Sequence, residues 1–511
     1  MKSLFAIMAA LILIAMVSCA FPGEPETMET TPEEDSAPAI VLSDHDMVSE
    51  DVSYRVYDTA VILESGWIIS DETAIVGHLD LLEYQLSTGS VYTHLRFSPA
   101  AESHEPPRIR LETLEIPAAF RYLHYPRGPR TLPAHWSEPI AVRGDGRRLP
   151  RTPVVIEDEG GTVYAFYSGI EIFEWVENEV VTRCLGYYPH PRLDHQGITL
   201  TLDVKPGRTM ESWTLLSIDP HRELLEPENT LHGDLLGVGD FAAGRLWTRE
   251  GMLYSTLPAH IPSPPEGYYV NRAHHVGRRY LDHRGEGPFF EDFALVSLHT
   301  AANTQHPDGY WTTGPGSTWL KGLYDLGGGL YDTRWSTDAA SFLLEGYREY
   351  GDERFRDASV LYADFLSLYA RENSSPTESG GLLVWDYADP NYFGELPVHT
   401  SLNHQLAEMN FLYEMHLLTG DDQYLGVAED LLAGIIDTVP GWPRPDGDLW
   451  YGVSPEGEFF SDDYPILTYN DLIEAQRIQQ LIYGHPHPGL DTLLEIKRSH
   501  LDDLGILPGK N

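Results

Sequence analysis

The chain has 511 residues, more than the roughly 250 to 300 at which one hydrophobic core stops growing, so we expect two or three domains. Its formal charge of -44 and its pI of about 4.7 argue against nucleic acid as a partner, because phosphate binding requires a basic surface. An acidic surface with few lysines suits a salty environment, in which repulsion between charges is screened. High genomic GC content explains the same composition equally well.

The chain starts with the pattern of an export signal. A positively charged start is followed by an apolar run from Leu4 to Val17, which is too short to remain as a membrane span. Met16-Val-Ser-Cys19 resembles a bacterial lipobox, in which the cysteine becomes the lipidated first residue of the mature protein. The alternative is ordinary cleavage after Ala20. We therefore predict a signal peptide over residues 1–19 and an exported protein of the cell envelope.

Under this prediction, a lipid on Cys19 anchors the protein to the membrane, at its outer face or its periplasmic side. Residues 20–47 are acidic and rich in turn-forming residues, with few large apolar side chains. Such a segment cannot bury enough apolar surface to fold. We expect it to be a disordered tether between the anchor and the first domain.

Residues 48–220 have the two-residue period of β-strands, and turn signals such as Glu159-Gly-Gly161 separate several of the runs. We predict an antiparallel β-sandwich or β-barrel here. Residues 221–288 contain Gly, Pro and aromatic residues without a clear period, so we expect an irregular connecting region. The strand-like runs are Ser53–Tyr57, Ala60–Leu63, Thr162–Tyr167, Ile170–Trp175 and Ile198–Val204.

Helical spacing begins near Phe289. A helix predicted over Ser336–Tyr347 is followed by a stop at Gly351 and an acidic start to the next helix. The same arrangement returns 69 positions later at Gly420, and a third pair fits the C-terminal residues. Repeated helix pairs form a solenoid or, when they close, an α/α barrel. The predicted fold class is therefore multidomain α+β, with the β region followed by an α/α barrel, an incomplete toroid, over residues 289–505.

Several motifs of known enzyme classes are missing. The sequence contains no P-loop, no Gly-x-Ser-x-Gly, no His-Glu-x-x-His and no cysteine cluster. The closest histidine pairs, His274-His275 and His485-Pro-His487, lie in predicted loops without suitably spaced acids. We therefore expect neither a metal nor another cofactor.

The loops of the helical region are rich in aromatic and polar residues. Aromatic faces stack on sugar rings, while Arg, Asn and Tyr side chains hydrogen-bond hydroxyls and carboxylates, so the pattern favours a polysaccharide cleft. Two segments stand out, Thr400–Tyr413 and Asp463–Asn470, because each carries polar residues and tyrosines where a core helix carries apolar ones. The richest loop segments are Gly309–Trp311, Leu330–Trp335, Trp385–Tyr387, Asn391–Glu395, His399, Trp450-Tyr451 and Asp463-Tyr464.

Four segments of the helical region also resemble segments of a known family. They lie within about residues 289–502, some two-fifths of the chain, and are Gln305 to Trp311, Gly329 to Ser336, Leu402-Asn403 with Leu412 to Met415, and Asp463-Tyr464 with Asn470 to Leu472. Together they resemble the C-terminal α/α-barrel domain of D-glucuronyl C5-epimerases, which convert glucuronate into iduronate within heparan-type polymers. The β-rich region has no specific match.

The resemblance implies a site built from tyrosines and one carboxylate. The family's best-placed catalytic tyrosine falls on Tyr464, and a second falls on Tyr451, because the neighbouring Trp450 cannot exchange a proton. A third position keeps its carboxylate as Glu395 but has Leu396 where the family has a tyrosine, unless Tyr392 supplies one. The remaining site residues are expected to bind substrate: Trp311, Tyr331, Arg334, Tyr392, His399, Asn403, Trp450 and Asn470.

Three of these assignments have structural alternatives. Asn403 can cap a helix, Arg334 can pair with Asp332 or another acid, and His399 can be an ordinary loop histidine. The expected partners are an acidic polysaccharide and the membrane, and a homodimer stays open. An acidic protein repels an acidic polymer unless arginines make the cleft locally positive or salt screens the charges.

The leading prediction is C5 epimerisation of a uronate by acid-base proton exchange. A polysaccharide lyase is the nearest alternative, because it begins with the same proton abstraction. A glycoside hydrolase requires two opposed carboxylates, and loop acids are available at Asp332, Asp386, Glu395 and Asp463. A glycan-binding lipoprotein without catalytic activity is the fourth alternative.

Overall fold

A computed structural model of the chain describes residues 40–43, 46–71, 74–100, 107–112, 117–124, 135–150, 154–158, 163–166, 170–183, 190–217, 247–264 and 266–507. The predicted signal peptide, Cys19 and residues 20–39 of the predicted tether lie outside these residues. The chain forms two compact units. The first contains residues up to 175 together with 181–254 and 279–296, and the second contains 176–180, 255–278 and the residues from 297 onward.

The first unit is built from antiparallel strands. Its main sheet runs in the order β14-β13-β17-β5-β4-β3-β2, and two smaller sheets run β1-β6-β16-β15-β10 and β12-β11-β7-β8. Buried and partly exposed residues largely alternate along β3, which is the two-residue period of a strand with one face in the core. The strands up to residue 217 are β1 (Ile40–Ser43), β2 (Asp46–Val56), β3 (Ala60–Ser70), β4 (Ile75–Leu86), β5 (Ser90–Pro99), β6 (Arg108–Glu112), β7 (Pro117–His124), β8 (His135–Trp136), β9 (Ile140–Ala141), β10 (Arg147–Arg148), β11 (Val154–Asp158), β12 (Val163–Phe166), β13 (Glu171–Glu177), β14 (Val180–Arg183), β15 (Arg192–Asp194), β16 (Gly197–Thr201) and β17 (Thr209–Ser217).

The three sheets share one hydrophobic core. Leu79 and Phe97 of the main sheet pack in the same cluster as Ile198 of the second sheet and Phe120 and Ile156 of the third. Burial of apolar residues between sheet faces is how layered β structures are stabilised. The predicted antiparallel β region is therefore confirmed.

Two boundaries differ from the sequence prediction. Ile40–Ser43 and the first residues of β2 lie within the predicted tether but form paired strands, because β-branched and apolar residues return there after the acidic stretch. The described part of residues 221–288 is not irregular. It contains four strands and a helix: β18 (Trp247–Thr248), β19 (Gly251–Ser255), β20 (His260–Ile261), β21 (Gly267–Asn271) and α1 (His274–Asp282).

Most of the second unit consists of helix pairs. α2 (Pro288–Asn303) belongs to the first unit up to residue 296 and to the second from residue 297. The other long helices are α4 (Thr333–Tyr350), α5 (Glu353–Glu372), α6 (Leu402–Thr419), α7 (Asp422–Thr438), α8 (Leu467–Tyr483) and α9 (Pro488–Asp503), and α3 (Thr318–Tyr324) is short. α4, α6 and α8 pack side by side in one layer, while α5 and α7 pack against each other in a second. Paired helices in two layers are the arrangement expected of an α/α fold.

The repeat follows from identical helix ends. Both α4 and α5 recur 69 residues later as α6 and α7, with the same starting offsets. Gly351 and Gly420 end α4 and α6 with φ of 73° and 74°, a conformation that glycine adopts without strain. Asp352 and Asp421 then cap the next helices through hydrogen bonds to backbone N–H groups. These signals are local, which is why the sequence predicts them.

Short strands join the helix pairs at the starts of α4 and α6. They are β22 (Gly316–Ser317), β23 (Tyr331–Asp332), β24 (Ser374–Pro376), β25 (Leu382–Val384), β26 (Tyr387–Ala388), β27 (Thr400–Ser401), β28 (Trp450–Val453) and β29 (Phe459–Asp462). None of the helices in the described ranges is long and apolar enough to cross a membrane.

Candidate active site

A cavity of about 490 Å³ lies in the second unit beside the start of α4, and we call it the tyrosine cavity. Pairs of short strands bring its lining residues together. β23 pairs with β26 so that Asp332 lies opposite Tyr387, and β27 pairs with β28 so that Ser401 lies opposite Gly452. The side chains that line the cavity include Tyr269, Trp319, Asp332, Trp335, Tyr387, Tyr451, Asp462 and Tyr464.

Three tyrosines meet in this cavity. The ring centroids of Tyr451 and Tyr464 are 5.9 Å apart, and the hydroxyl oxygens of Tyr387 and Tyr451 are 3.4 Å apart. Tyr451 is 7% exposed whereas Tyr464 is 54% exposed, so Tyr464 is the more accessible to solvent. Burial raises the pKa of Tyr464, and the negative charges of Asp332 and Asp463 raise it further. The tyrosines are therefore neutral hydrogen-bond donors near pH 7.

Asp332 supplies a carboxylate to the same cavity. It is the N-cap of α4, and its side chain accepts a hydrogen bond of 2.9 Å from the backbone N–H of Trp335. Burial raises the pKa of Asp332 to about 7, although that hydrogen bond opposes the shift. A carboxyl group with this pKa can accept or release a proton near neutral pH.

His399 lies beneath the cavity and is fully buried. Its Nδ1 atom is 2.9 Å from the hydroxyl of Tyr324, and its ring contacts those of Trp319 and Tyr451. Burial lowers the pKa of His399 to about 4, so the ring is neutral. His399 is not among the residues that line the cavity, and the rings of Trp319 and Tyr451 pack against it, so its role in substrate binding stays a prediction.

Asp386 is a structural acid rather than a catalytic one. It is fully buried, and its two oxygens accept hydrogen bonds of 2.9 and 3.0 Å from the backbone N–H of Ser401. The Ser401 hydroxyl donates another of 2.5 Å. Burial raises the pKa of Asp386 well above its usual range. Asp386 thus holds the start of α6 against the preceding loop.

Asp463 anchors the segment that carries Tyr464. Its carboxylate is 2.7 Å from Nζ of Lys497, which is fully buried, and it accepts a hydrogen bond of 2.8 Å from Thr468. Lys497 also lies 2.8 Å from Asp448. The Asp463-Tyr464 motif therefore combines a structural acid, bound by one of the few lysines of the chain, with a tyrosine that reaches the cavity.

Glu395 does not join the tyrosines. Glu395 and Tyr392 are both exposed in the loop between β26 and β27, and neither lines the tyrosine cavity. The assignment of Glu395 as the catalytic carboxylate is not supported by this placement, since Asp332 occupies the cavity instead. The direction of a loop depends on tertiary packing, which a short sequence motif does not encode.

A second cavity, of about 670 Å³, lies along the faces of α1, α4, α6 and α8, and we call it the helix-face cavity. Arg334 and Asn470 line it, so both are separate from the tyrosine cavity. Arg334 forms ion pairs with Asp471 at 2.6 Å and with Asp338 at 3.0 Å. Its predicted alternative, pairing with a neighbouring acid, fits this geometry.

The other predicted binding residues are in neither cavity. Asn403 is buried, and its backbone carbonyl oxygen accepts a hydrogen bond from Arg334. Trp450 lies under the guanidinium of Arg444, at 5.1 Å from the ring centroid. Trp311 and Tyr331 are core residues: Trp311 donates to the carbonyl oxygen of Ala301, and the hydroxyl of Tyr331 lies 3.2 Å from that of Tyr362. These contacts are with the protein itself, and the roles of the four residues in substrate binding stay predictions.

The sequence named some of the residues that line the cavity but not their arrangement. Asp332, Trp335 and Tyr387 lie in the aromatic and polar loop segments named above, whereas Trp319 does not. The position of Asp332 beside Tyr387 depends on the pairing of β23 with β26, two strands of only two residues each. Among the lining residues that the structure describes there is no arginine or lysine, so arginines do not make this cavity positive.

Within the described ranges no group of three or more His, Cys, Asp or Glu residues could hold a metal ion. The sequence matches no family model and no curated protein.

Solved structures that are similar to the chain include a D-mannose isomerase, at 14% identity and a TM-score of 0.35, with 45% of this chain and 59% of that chain covered. A cellobiose 2-epimerase from Spirochaeta thermophila has 15% identity and a TM-score of 0.34, covering 41% of this chain and 52% of that one. An unsaturated glucuronyl hydrolase from a Bacillus species has 14% identity and a TM-score of 0.31, covering 45% and 55%.

The chain thus spans between about half and three-fifths of the length of these structures. TM-scores of this size carry no conclusion about activity. None of the three is named as a glucuronyl C5-epimerase, and that resemblance stays a prediction from the sequence.

Proposed function

We propose that the chain is a carbohydrate-active enzyme of the cell envelope that epimerises C5 of uronate residues in a polysaccharide. The observation that carries this proposal is the meeting of Asp332, Tyr451 and Tyr464 in one cavity that also has Trp319 and Trp335 on its walls. Aromatic walls offer flat apolar faces to sugar rings, and the polar groups supply proton transfer.

Asp332 is the proposed base. Removal of the C5 proton requires an acceptor that is ionised but not strongly acidic, and a pKa of about 7 meets that requirement at neutral pH. Since Asp332 is fixed as the N-cap of α4, its carboxylate does not have to be ordered when the substrate arrives.

Tyr464 is the proposed acid. Its raised pKa keeps the hydroxyl protonated until charge develops in the transition state. Asp332 begins α4 whereas Tyr464 precedes α8, so the two groups enter the cavity from different elements, as a reaction on two faces of a ring requires. Exposure of Tyr464 allows its proton to exchange with solvent between turnovers.

Neutral hydrogen-bond donors stabilise the negative charge of the intermediate. When the C5–H bond breaks, negative charge develops on the neighbouring carboxylate of the sugar. The hydroxyls of Tyr387 and Tyr451 both line the cavity and can donate hydrogen bonds to it. Hydrogen bonds to a charged oxygen are stronger than those between neutral groups.

The proposed reaction neither gains nor loses a proton over one turnover. The C5 proton moves to Asp332, and the Tyr464 hydroxyl proton forms the new C5–H bond from the other face. Tyr464 then regains a proton and Asp332 loses one to solvent. No bond of the polymer is broken, and no oxidant or reductant is required.

The test is to incubate the purified protein with glucuronate-containing polymers in heavy water and to follow the products by NMR. Deuterium at C5 without chain cleavage supports the proposal. An unsaturated uronate end would show a lyase, in which Tyr464 protonates the leaving oxygen instead of C5. Binding without any of these changes would show a glycan-binding protein and overturn the proposal.

A glycoside hydrolase is the second candidate, because Asp462 also lines the tyrosine cavity. Asp332, with its raised pKa, would be the general acid, and the exposed Asp462 would be the second carboxylate. Asp462 is held at 2.8 Å by Arg444. In the same experiment, new reducing ends without unsaturation would identify this reaction.

A further inference from the structure

The helix-face cavity is long, because one face of α4 contributes residues over nearly its whole length. Arg334, Asp338, Ser341, Glu345 and Arg348 follow each other at spacings of three or four and all line the cavity. At about 1.5 Å of rise per residue, this row extends roughly 21 Å along the helix. The cavity is therefore long enough for more than one sugar ring.

The row of α4 residues begins at Arg334, next to Trp335 of the tyrosine cavity. Trp335 lines the tyrosine cavity and His274 lines the helix-face cavity, and their rings are in edge contact with centroids 5.5 Å apart. The two cavities are thus neighbours, with this ring pair between them.

The charges on the wall compensate each other. Arg278 pairs with Glu345 at 2.7 Å, and Arg348 and Arg477 both contact Glu414, at 3.3 and 3.2 Å. Arg334 is paired with Asp338 and Asp471, as described above. No arginine of the described lining is left without a carboxylate partner, so the wall does not select an anion.

Two buried polar groups of the lining still have unused hydrogen-bonding capacity. Asn410 is 7% exposed, and its amide nitrogen donates to the carbonyl oxygen of Asp471, but no described residue hydrogen-bonds its Oδ1 atom. His274 is 5% exposed, and within the described part of the chain its Nδ1 atom also has no partner. Unsatisfied buried groups are costly, and a ligand that supplies hydroxyls would satisfy both.

We propose that the helix-face cavity is a saccharide-binding subsite that takes uncharged, hydroxyl-rich sugar residues next to the residue held in the tyrosine cavity. Sugar hydroxyls both donate and accept, so they can hydrogen-bond to a guanidinium and its carboxylate partner at once, as well as to Asn410 and His274. The volume of about 670 Å³ is within the usual range for ligand sites, about 300–1,000 Å³. This inference rests on the proposed function only in taking the ligand to be a glycan.

The test is to measure binding of neutral hexasaccharides of glucose, mannose and xylose to the full chain by saturation-transfer NMR and calorimetry. Ser341→Trp fills the cavity with a large side chain at a partly exposed helix position, and we expect at least a tenfold loss of affinity. Leu368→Trp is the matched control, because Leu368 is exposed on α5 and lines neither cavity. Binding of none of the hexasaccharides, or equal affinity in the two variants, would overturn the proposal.

Measurements of hexasaccharide binding and of C5 proton exchange can fail independently, so they test the subsite and the proposed reaction separately. If Ser341→Trp weakens hexasaccharide binding while the unmodified protein exchanges no C5 proton, the subsite stands and the epimerase fails. If the protein exchanges the proton but Ser341→Trp changes neither affinity nor the KM for polymer, the epimerase stands and the subsite fails. Asn410→Ala removes the unpaired oxygen and should weaken binding in the same direction.

Discussion

At the scale of single residues, Asp332 has two roles that are usually separate. As an N-cap it accepts a backbone N–H and stabilises α4, and as a lining residue it offers the tyrosine cavity an acid whose pKa is about 7. Asparagine caps helices as well as aspartate does, but it cannot exchange a proton. Substitution by asparagine therefore separates the two roles.

We expect Asp332→Asn to lower kcat/KM by about 10²- to 10⁴-fold, the usual contribution of general acid-base catalysis, with little loss of stability. In the unmodified protein, kcat/KM should rise with pH and level off above about 7, because the base acts in its ionised form. Asp421→Asn, at the N-cap of α7, is the matched control and should change neither quantity. A pH profile that falls between 6 and 8 would contradict the role of Asp332.

Lys497 is the residue on which the position of Tyr464 depends most. It is fully buried between Asp448 and Asp463, and its loss would leave two buried carboxylates without a cation. We expect Lys497→Met to lower the free energy of unfolding by about 3–5 kcal/mol. Lys321→Met removes an exposed pair with Asp325 and should cost about 0–1 kcal/mol. Equal effects in denaturant titrations would show that the buried pairs are not needed.

At the scale of helices and strands, the sequence predicted the features that depend on local signals. The offset of 69 residues, the glycine stops and the aspartate caps identified α4 to α7, because each signal acts within one turn of the helix it begins or ends. The tyrosine cavity depends instead on pairs of strands of two to four residues, which are too short to show a period. That is why Asp332 and Tyr387 were not predicted as neighbours, and why the sequence assigned the carboxylate to Glu395, which lies outside the cavity.

The polar residues of α6 show the same limit. They were predicted to form part of a site, but most of them connect elements. The amide nitrogen of Gln405 donates to the carbonyl oxygens of Leu382 and Leu431, and His404 is 2.8 Å from the Thr333 hydroxyl. A buried polar residue on a helix therefore indicates a tertiary hydrogen bond as readily as a ligand.

Two glycines of the same helix pair should respond oppositely to alanine. Gly420 ends α6 with a φ of 74°, so Gly420→Ala should cost about 1–2 kcal/mol of unfolding free energy. Gly426 lies within α7, and a Cβ there would meet no atom within 4 Å, so Gly426→Ala should stabilise by about 0.5–1 kcal/mol. Changes of the same sign in chemical denaturation would show that the helix ends are assigned incorrectly.

At the scale of the whole molecule, pH affects stability through buried acids of the helical unit. Burial raises the pKa of Glu408 to about 8, and no described residue hydrogen-bonds its carboxylate oxygens. The Thr333 hydroxyl lies close enough to lower this pKa somewhat but is bonded to His404. Between an unfolded pKa near 4.5 and the folded pKa near 8, the folded state binds the extra proton.

In this range the folded state holds a proton on Glu408 that the unfolded state has released, so a rise in pH favours the unfolded state. The free energy of unfolding should therefore fall as pH rises from about 5 to 8. The fall in Tm should be smaller in Glu408→Gln, which has no proton to release there. Scanning calorimetry at constant ionic strength measures both. An equal pH dependence in the two proteins would contradict the raised pKa of Glu408.

The central claim is that proton exchange at C5 of a uronate takes place between Asp332 and Tyr464. The most direct measurement is the rate at which uronate that is inverted and deuterated at C5 forms in heavy water, compared in the unmodified protein, Tyr464→Phe and the control Tyr483→Phe, whose tyrosine is exposed outside both cavities. We predict at least a hundredfold loss in Tyr464→Phe and an unchanged rate in Tyr483→Phe. An unchanged rate in Tyr464→Phe, or no inverted and deuterated product from the unmodified protein, would contradict the claim.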